Sequence, residues 1–254
     1  MYFEKAIKSD DSNINTYLNI GIILIDRGFS NKAIQYLTRC EELLEGNEDE
    51  TAAVYFNLGH AYHGINFEKS MYYYKKCIEN DENYLNAYVN LGNIYKTEFA
   101  NYDKSLEYYN QVLDKKPKCV EALTNKAGAL YKLKKYAESE KYFTKSLDCN
   151  EKMDMVYSEW GHCLREDNDE IGAKEKFIEA KKINPLSTSH NHDLFISHLI
   201  LGEKIFAKNI YRRIAELTKE NINIKLSMIR EFDEYGYFED AVKLMQDLRD
   251  KKGY

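Results

Sequence analysis

The chain has 254 residues, a net charge of −6 from 42 acids and 36 bases, and a hydrophobic fraction of 44%, enough for one large domain or a long repeat array with a buried core. Two prolines and 12 glycines exclude long low-complexity linkers, and the mildly acidic balance argues against a phosphate-backbone binder, a local basic patch aside. The five cysteines (Cys40, Cys77, Cys119, Cys149, Cys163) are far apart, odd in number and lack CxxC spacing, which reads as reduced thiols inside the cell; the N-terminus lacks a signal-peptide core, and the longest apolar run, around Ile20 to Ile25, is too short to span a bilayer.

Met1 to Asn13 carries the pattern of a second helix without its first. From residue 14 onward one turn of helix recurs, clearest at Tyr88-Gly92-Tyr95 and Tyr55-Gly59-Tyr62, and with substitutions at Tyr17-Gly21-Leu24, Leu123-Ala127-Leu130 and Tyr157-Gly161-Leu164. Spacings of four and three put all three residues on one helix face, where the small one admits a second helix. The small positions or their equivalents are Gly21, Gly59, Gly92, Ala127, Gly161, Phe195 and Ile229, separated by 38, 33, 35, 34, 34 and 34 residues. A second small residue follows in each unit at Ala33, Ser70, Ser105, Ser139, Ala173, Ala207 and Ala241, at intervals of 37, 35, 34, 34, 34 and 34. Four residues after each of these stands a large one: Leu37, Tyr74, Tyr109, Phe143, Phe177, Tyr211 and Met245. Each period therefore predicts two amphipathic helices joined by a short turn. Pro117 and Pro185 fall just after second helices, where proline stops a helix. The segment Glu41 to Glu50 accounts for the long first spacing and predicts a lengthened helix and a solvated acidic loop.

This pattern resembles the tetratricopeptide repeat over nearly the whole chain. The match is specific in five units over 14–187 and divergent in two over 188–254, where Phe195 and Ile229 replace the small residue and a changed local curvature is expected. The resemblance implies an all-α fold, a right-handed superhelical solenoid of antiparallel helix pairs, with first helices lining the groove. The half-unit at 1–13 and an end without a polar capping helix predict either a longer array or ends that dock onto partners.

On the groove stripe, two residues before the small position stand Asn19, Asn57, Asn90, Asn125 and Glu159. One after it stand Ile22, His60, Asn93, Gly128 and His162, and one turn earlier come Asn15 and Asn86. Asparagine is a middling helix former, and each amide both donates and accepts. Asn15, Asn19, Asn57, His60, Asn86, Asn90, Asn93, Asn125, Glu159 and His162 are therefore the candidate peptide-binding residues, an amide ladder along the main chain of an extended segment. The alternative is an asparagine-rich chain whose family tolerates the residue here. The same face carries little basic charge, so a clamp for a chaperone's C-terminal carboxylate is not expected.

Cys40 and Cys77 sit seven after a small residue, where a compact buried side chain is wanted. His162, His190, His192 and His198 read as surface and groove histidines, Trp160 as core, and Tyr72-Tyr73-Tyr74 spans enough helix faces to expose at least one ring. No GxxxxGK[ST], GxGxxG, HExxH or GxSxG motif occurs. The expected function is a non-enzymatic scaffold in the cytoplasm, with cytoskeletal or ciliary assemblies among its settings. It holds a protein or peptide partner within a multiprotein complex, with no cofactor, metal, nucleic acid or membrane insertion. Two alternatives stand beside it: the targeting region of a larger enzyme, and an RNA-binding helical repeat of the pentatricopeptide type, which Phe238 to Leu248 would suit.

Overall fold

The computed structural model describes residues 13–44, 51–149, 152–218 and 221–250. The half-unit at 1–13 lies outside them but for Asn13, as does the insertion beyond Leu44. Fourteen α-helices and no strand occur among the described residues. In chain order they are α1 (Ile14–Asp26), α2 (Ser30–Leu43), α3 (Thr51–Tyr62), α4 (Phe67–Asn80), α5 (Leu85–Thr97), α6 (Tyr102–Lys115), α7 (Val120–Lys132), α8 (Tyr136–Leu147), α9 (Met153–Glu166), α10 (Glu170–Ile183), α11 (Thr188–Ile200), α12 (Lys204–Leu217), α13 (Ile222–Glu234) and α14 (Phe238–Asp250). The fold is the all-α solenoid of helix pairs that the period predicts. The chain forms two compact units, Met1–Lys135 and Tyr136–Tyr254, and the boundary falls between the helices of the fourth predicted pair.

The helices begin where local chemistry lets them. Asn66, Asn101 and Asp169 accept from the third amide of α4, α6 and α10, and Asn13, Ser187 and Asn221 do so for α1, α11 and α13. Several asparagines of this chain are thus spent on caps. Inside each pair the turn needs one left-handed residue: Gly28, Gly64, Gly202 and Gly236 fill it without strain, while Ala100, Lys134 and Asn168 hold φ of 48°, 59° and 65°.

In the first unit the second-helix ring lies directly against the glycine. A Cβ on Gly59 would fall 2.7 Å from the Tyr74 ring, one on Gly92 2.5 Å from Tyr109, and one on Gly21 2.6 Å from Leu37. Tyr74, Tyr109 and Leu37 are fully buried, each removing apolar surface worth about 2–3 kcal/mol. Cys40 and Cys77 are buried one turn further along, and burial pushes the Cys77 thiol up to about 12, which removes thiolate character. Successive cores run from Tyr17, Leu37 and Leu58 through Tyr74 and Leu91 to Tyr88, Val112 and Ala122. Glu41, at the end of α2, accepts from the Tyr73 hydroxyl and pairs with Lys76. Tyr72 is the exposed ring of its triplet, at 52%.

The second unit repeats the packing once and then departs from it. A Cβ on Gly161 would fall 2.6 Å from the Phe177 ring, and Trp160, half-buried, stacks on Phe143 at 5.0 Å with Lys176 over its face. At the next repeat Phe195 occupies the small position and is itself fully buried. It meets Phe232 edge-on at 5.2 Å within a core of Phe177, Tyr211, Met228 and Ile229. There the first helix fills with its own side chain the volume that glycine leaves to the second.

Adding a methyl group at Gly92 gains about 1 kcal/mol of helix propensity and costs about 1–3 kcal/mol of overpacking against a buried ring. Gly92→Ala should therefore lower the urea midpoint, and Gly92→Ala/Tyr109→Leu should recover part of it. A single variant more stable than the parent would refute this packing.

Candidate functional site

The first helices of the first unit enclose an open cavity of about 300 Å³, lined by His60, His63, Tyr74, Asn90, Asn93, Lys96, Thr97 and Asn125. Its shape follows from the core packing. Because Tyr74 and Tyr109 lie on glycines, their phenol oxygens reach the first-helix face and need partners there. The Asn90 amide donates to the Tyr74 hydroxyl at 3.1 Å, and the Tyr109 hydroxyl donates to Asn93 Oδ1 at 2.8 Å. Lys96 Nζ donates to Asn125 Oδ1 at 3.1 Å, linking α5 to α7. Burial, then the neighbouring His63, hold the His60 imidazole below its ordinary value. The lining set thus contains a cation, imidazoles, amides and hydroxyls, and no carboxylate.

Of the residues singled out in the sequence, His60, Asn90, Asn93 and Asn125 come together here. Asn57 does not line the cavity: it is 9% exposed and donates to the Ala53 carbonyl of its own helix at 2.8 Å. Asn15, Asn19 and Asn86 are exposed and lie outside it. His63, Tyr74, Lys96 and Thr97 were missed. A signal for two of them existed, since His63 and Lys96 each stand four residues after the glycine of their helix.

Glu159 and His162 lie on α9 in the second unit, where Glu159 is half-buried and His162 belongs to a polar network between helices. His162 Nε2 lies 3.5 Å from Asp193 and 3.5 Å from Ser158. Arg165, four after Gly161, pairs with Glu170 at 3.1 Å. It also donates to the Asp193 carbonyl at 2.7 Å and the Ser197 hydroxyl at 2.9 Å, its guanidinium 4.5 Å over Phe177. The other histidines expected at the surface or groove are paired as well. His190 meets Asp154 at 3.1 Å, His192 meets Glu231 at 2.9 Å, and His198 bonds Glu203, which also holds Lys174. His190 and His198 are buried; His198 holds the position, three after the small residue, that Tyr62, Tyr95 and Leu130 fill in earlier repeats.

These pairs couple the second unit to pH. Hydrogen bonds to Asp193 and Glu231 hold His162 and His192 above the ordinary value of 6.5. Their stabilisation is therefore complete below 6.5 and is lost as pH rises through the raised values. His198 works in the opposite sense: burial outweighs Glu203 and lowers it, so its contribution is lost as pH falls below 6.5. Asp193 is pushed up by burial, but bonds from His162 and Ser158 and the charge of Arg165 leave it below the usual carboxylate range; its contribution is lost only in acid.

Models of the tetratricopeptide repeat family match residues 12–83, 85–119 and 119–153. The chain is 22% identical over 274 residues to the human protein O-mannosyl-transferase TMTC3, the match covering 98% of this chain and 28% of that protein. It is 24% identical over 306 residues to a TPR repeat-containing protein of Methanocaldococcus jannaschii, covering 96% of this chain and 53% of that one. The chain thus spans about a quarter and a half of the lengths of these curated relatives. Yeast Tom70 superposes with a TM-score of 0.67 at 19% identity, over 97% of this chain and 50% of that chain. Among the described residues no helix is long and apolar enough to cross a membrane.

Trp160 is the sole tryptophan, so its fluorescence reports the second unit. Its urea midpoint should fall between pH 6 and pH 8.5, and His162→Gln/His192→Gln should flatten or reverse that slope. A parent midpoint that rises over this range would contradict the two raised histidines.

Proposed function

Because the chain belongs to the tetratricopeptide repeat family, we propose that it is a protein-interaction scaffold without catalytic chemistry of its own, holding an extended segment of a protein partner against the first helices of its first unit. The observation that carries this reading is the open cavity between α3, α5 and α7, whose amides keep hydrogen-bonding capacity after their internal bonds are made. Such amides suit the main chain of an extended segment, which cannot satisfy its own N–H and C=O groups. The packing also limits how far a ladder extends. Asn57 turns its amide to its own helix, and Asn90 and Asn93 serve the tyrosine hydroxyls as well as any ligand. The working set is therefore His60, Asn90, Asn93 and Asn125, with Asn15, Asn19 and Asn86 as outlying contacts along the same stripe. Glu159 and His162, on α9, are candidate contacts of the second unit taken by itself.

A second reading has its own support. Nearly the whole chain matches a region that is 28% of a protein O-mannosyl-transferase. On this reading the repeats are the targeting or positioning part of a larger enzyme, with the chemistry carried by other residues.

The test is affinity capture from the native cells with the tagged chain, beside an Asn93→Ala/Asn125→Ala version. A partner lost from the double variant alone, with the helical content of the two chains equal, supports the first-helix face as the working surface. The same partners recovered with both versions would refute it.

A further inference from the structure

We infer that the edge of the second unit at which α12 begins rests on an anionic lipid surface, with Ile205 and Phe206 entering the acyl boundary and Arg212 and Arg213 meeting the phosphates. The repeat itself marks the spot. In every repeat two residues precede the small residue of the second helix. They are Asn31-Lys32, Glu68-Lys69, Asp103-Lys104, Ala137-Glu138, Ile171-Gly172, Ile205-Phe206 and Glu239-Asp240. Ile205-Phe206 alone is a pair of large apolar residues, and the two are 73% and 60% exposed. Ile171, at the same place one repeat earlier, is 65% exposed, and the Lys174–Glu203 pair ties α10 to the start of α12. Exposed apolar side chains gathered in this way mark a contact surface.

Charge decides what meets it. Arg212 and Arg213 stand seven residues after Ile205 and Phe206, a spacing that returns each to the same helix face about 10 Å further along. All four side chains are exposed. α12 carries four bases and one acid, Glu216. Among the described residues neither arginine has an ion pair, and Arg213 faces a further cation, Lys181 of α10, which burial and then this arginine hold below its ordinary value. Acids at the helix starts are engaged within the unit: Glu170 by Arg165, Glu203 by His198 and Lys174, and Asp240 by Lys204 and Lys208, while Glu239 acts on Lys204. What remains is an apolar tip followed by unpaired cations, the combination that holds a helix at an anionic interface. A protruding tip offers a partner helix no wall to pack against, whereas a fluid acyl layer takes it without one. The contact is interfacial, since among the described residues no helix is long and apolar enough to cross a membrane.

The probe is vesicles of equal parts phosphatidylcholine and phosphatidylserine, beside vesicles of phosphatidylcholine alone, with bound protein read by co-sedimentation. The chain should partition about tenfold more strongly onto the anionic vesicles, and added salt should weaken that binding. Ile205→Ser/Phe206→Ser and Arg212→Gln/Arg213→Gln should each reduce it about tenfold. Both variants change exposed side chains and should keep the helical content of the parent by circular dichroism. A charge-matched control, Lys75→Gln/Lys116→Gln, should bind as the parent does; an equal loss from it overturns the inference. No binding to either vesicle overturns it, as does equal binding to both, or binding that survives Ile205→Ser/Phe206→Ser. Self-association without lipid that this variant abolishes in sedimentation velocity would assign the edge to a second copy of the chain. A captured protein lost with it would assign the edge to a protein partner. Either result overturns the lipid contact.

Discussion

A second-helix ring resting on a first-helix glycine is the contact from which most of the first unit follows. At Gly59 and Gly92 the absent Cβ lets the Tyr74 and Tyr109 rings lie where a methyl group would collide. The buried rings hold the pair together through dispersion and hydrophobic burial. The same closeness carries each phenol oxygen past the glycine to polar side chains of the first helices, Asn93 on the same helix for Tyr109 and Asn90 on the next for Tyr74. A hydroxyl delivered there must find a partner, and Asn90 and Asn93 provide it. The ring packed on the glycine thus decides what two of the cavity's amides bond to.

The second unit shows what happens when that contact changes. Phe177 lies on Gly161 as the tyrosines do, but a phenyl ring brings no hydroxyl with it. Phe195 then fills the small position altogether. The first-helix faces freed from tyrosine carry Arg165, Asp193, Ser197 and the paired histidines instead. Opposite charges with several hydrogen bonds each replace amide–phenol bonds as the link between neighbouring repeats, and imidazoles make that link sensitive to protonation near neutrality.

The candidate stripe is drawn from residues at fixed offsets from the small position, and four of its ten members, His60, Asn90, Asn93 and Asn125, line one cavity. The offsets could not rank them. Asn57 and Asn90 hold the same place in the period, yet one turns back to its own helix and the other reaches a tyrosine of the preceding pair. His63 and Lys96 fall outside the stripe because none of its offsets lies four after the small residue, while the cavity extends one turn further along the chain. His190 and His198 read as surface residues because a histidine in a sequence carries no mark of the acid that awaits it on another helix.

By itself the sequence determined the number and order of helix pairs over the described residues, the turns between them, and the faces that meet. All of these depend on the 3.6-residue period, on caps, and on small and large residues a few positions apart, which are local in the chain. Only the tertiary structure decided which asparagines line the cavity, which cation reaches an amide, and which histidines are buried. Those outcomes depend on side chains roughly one repeat apart in the chain, such as Lys96 with Asn125 and His162 with Asp193. Their meeting is set by how closely successive helices approach, and so by whether a glycine or a phenylalanine stands between them.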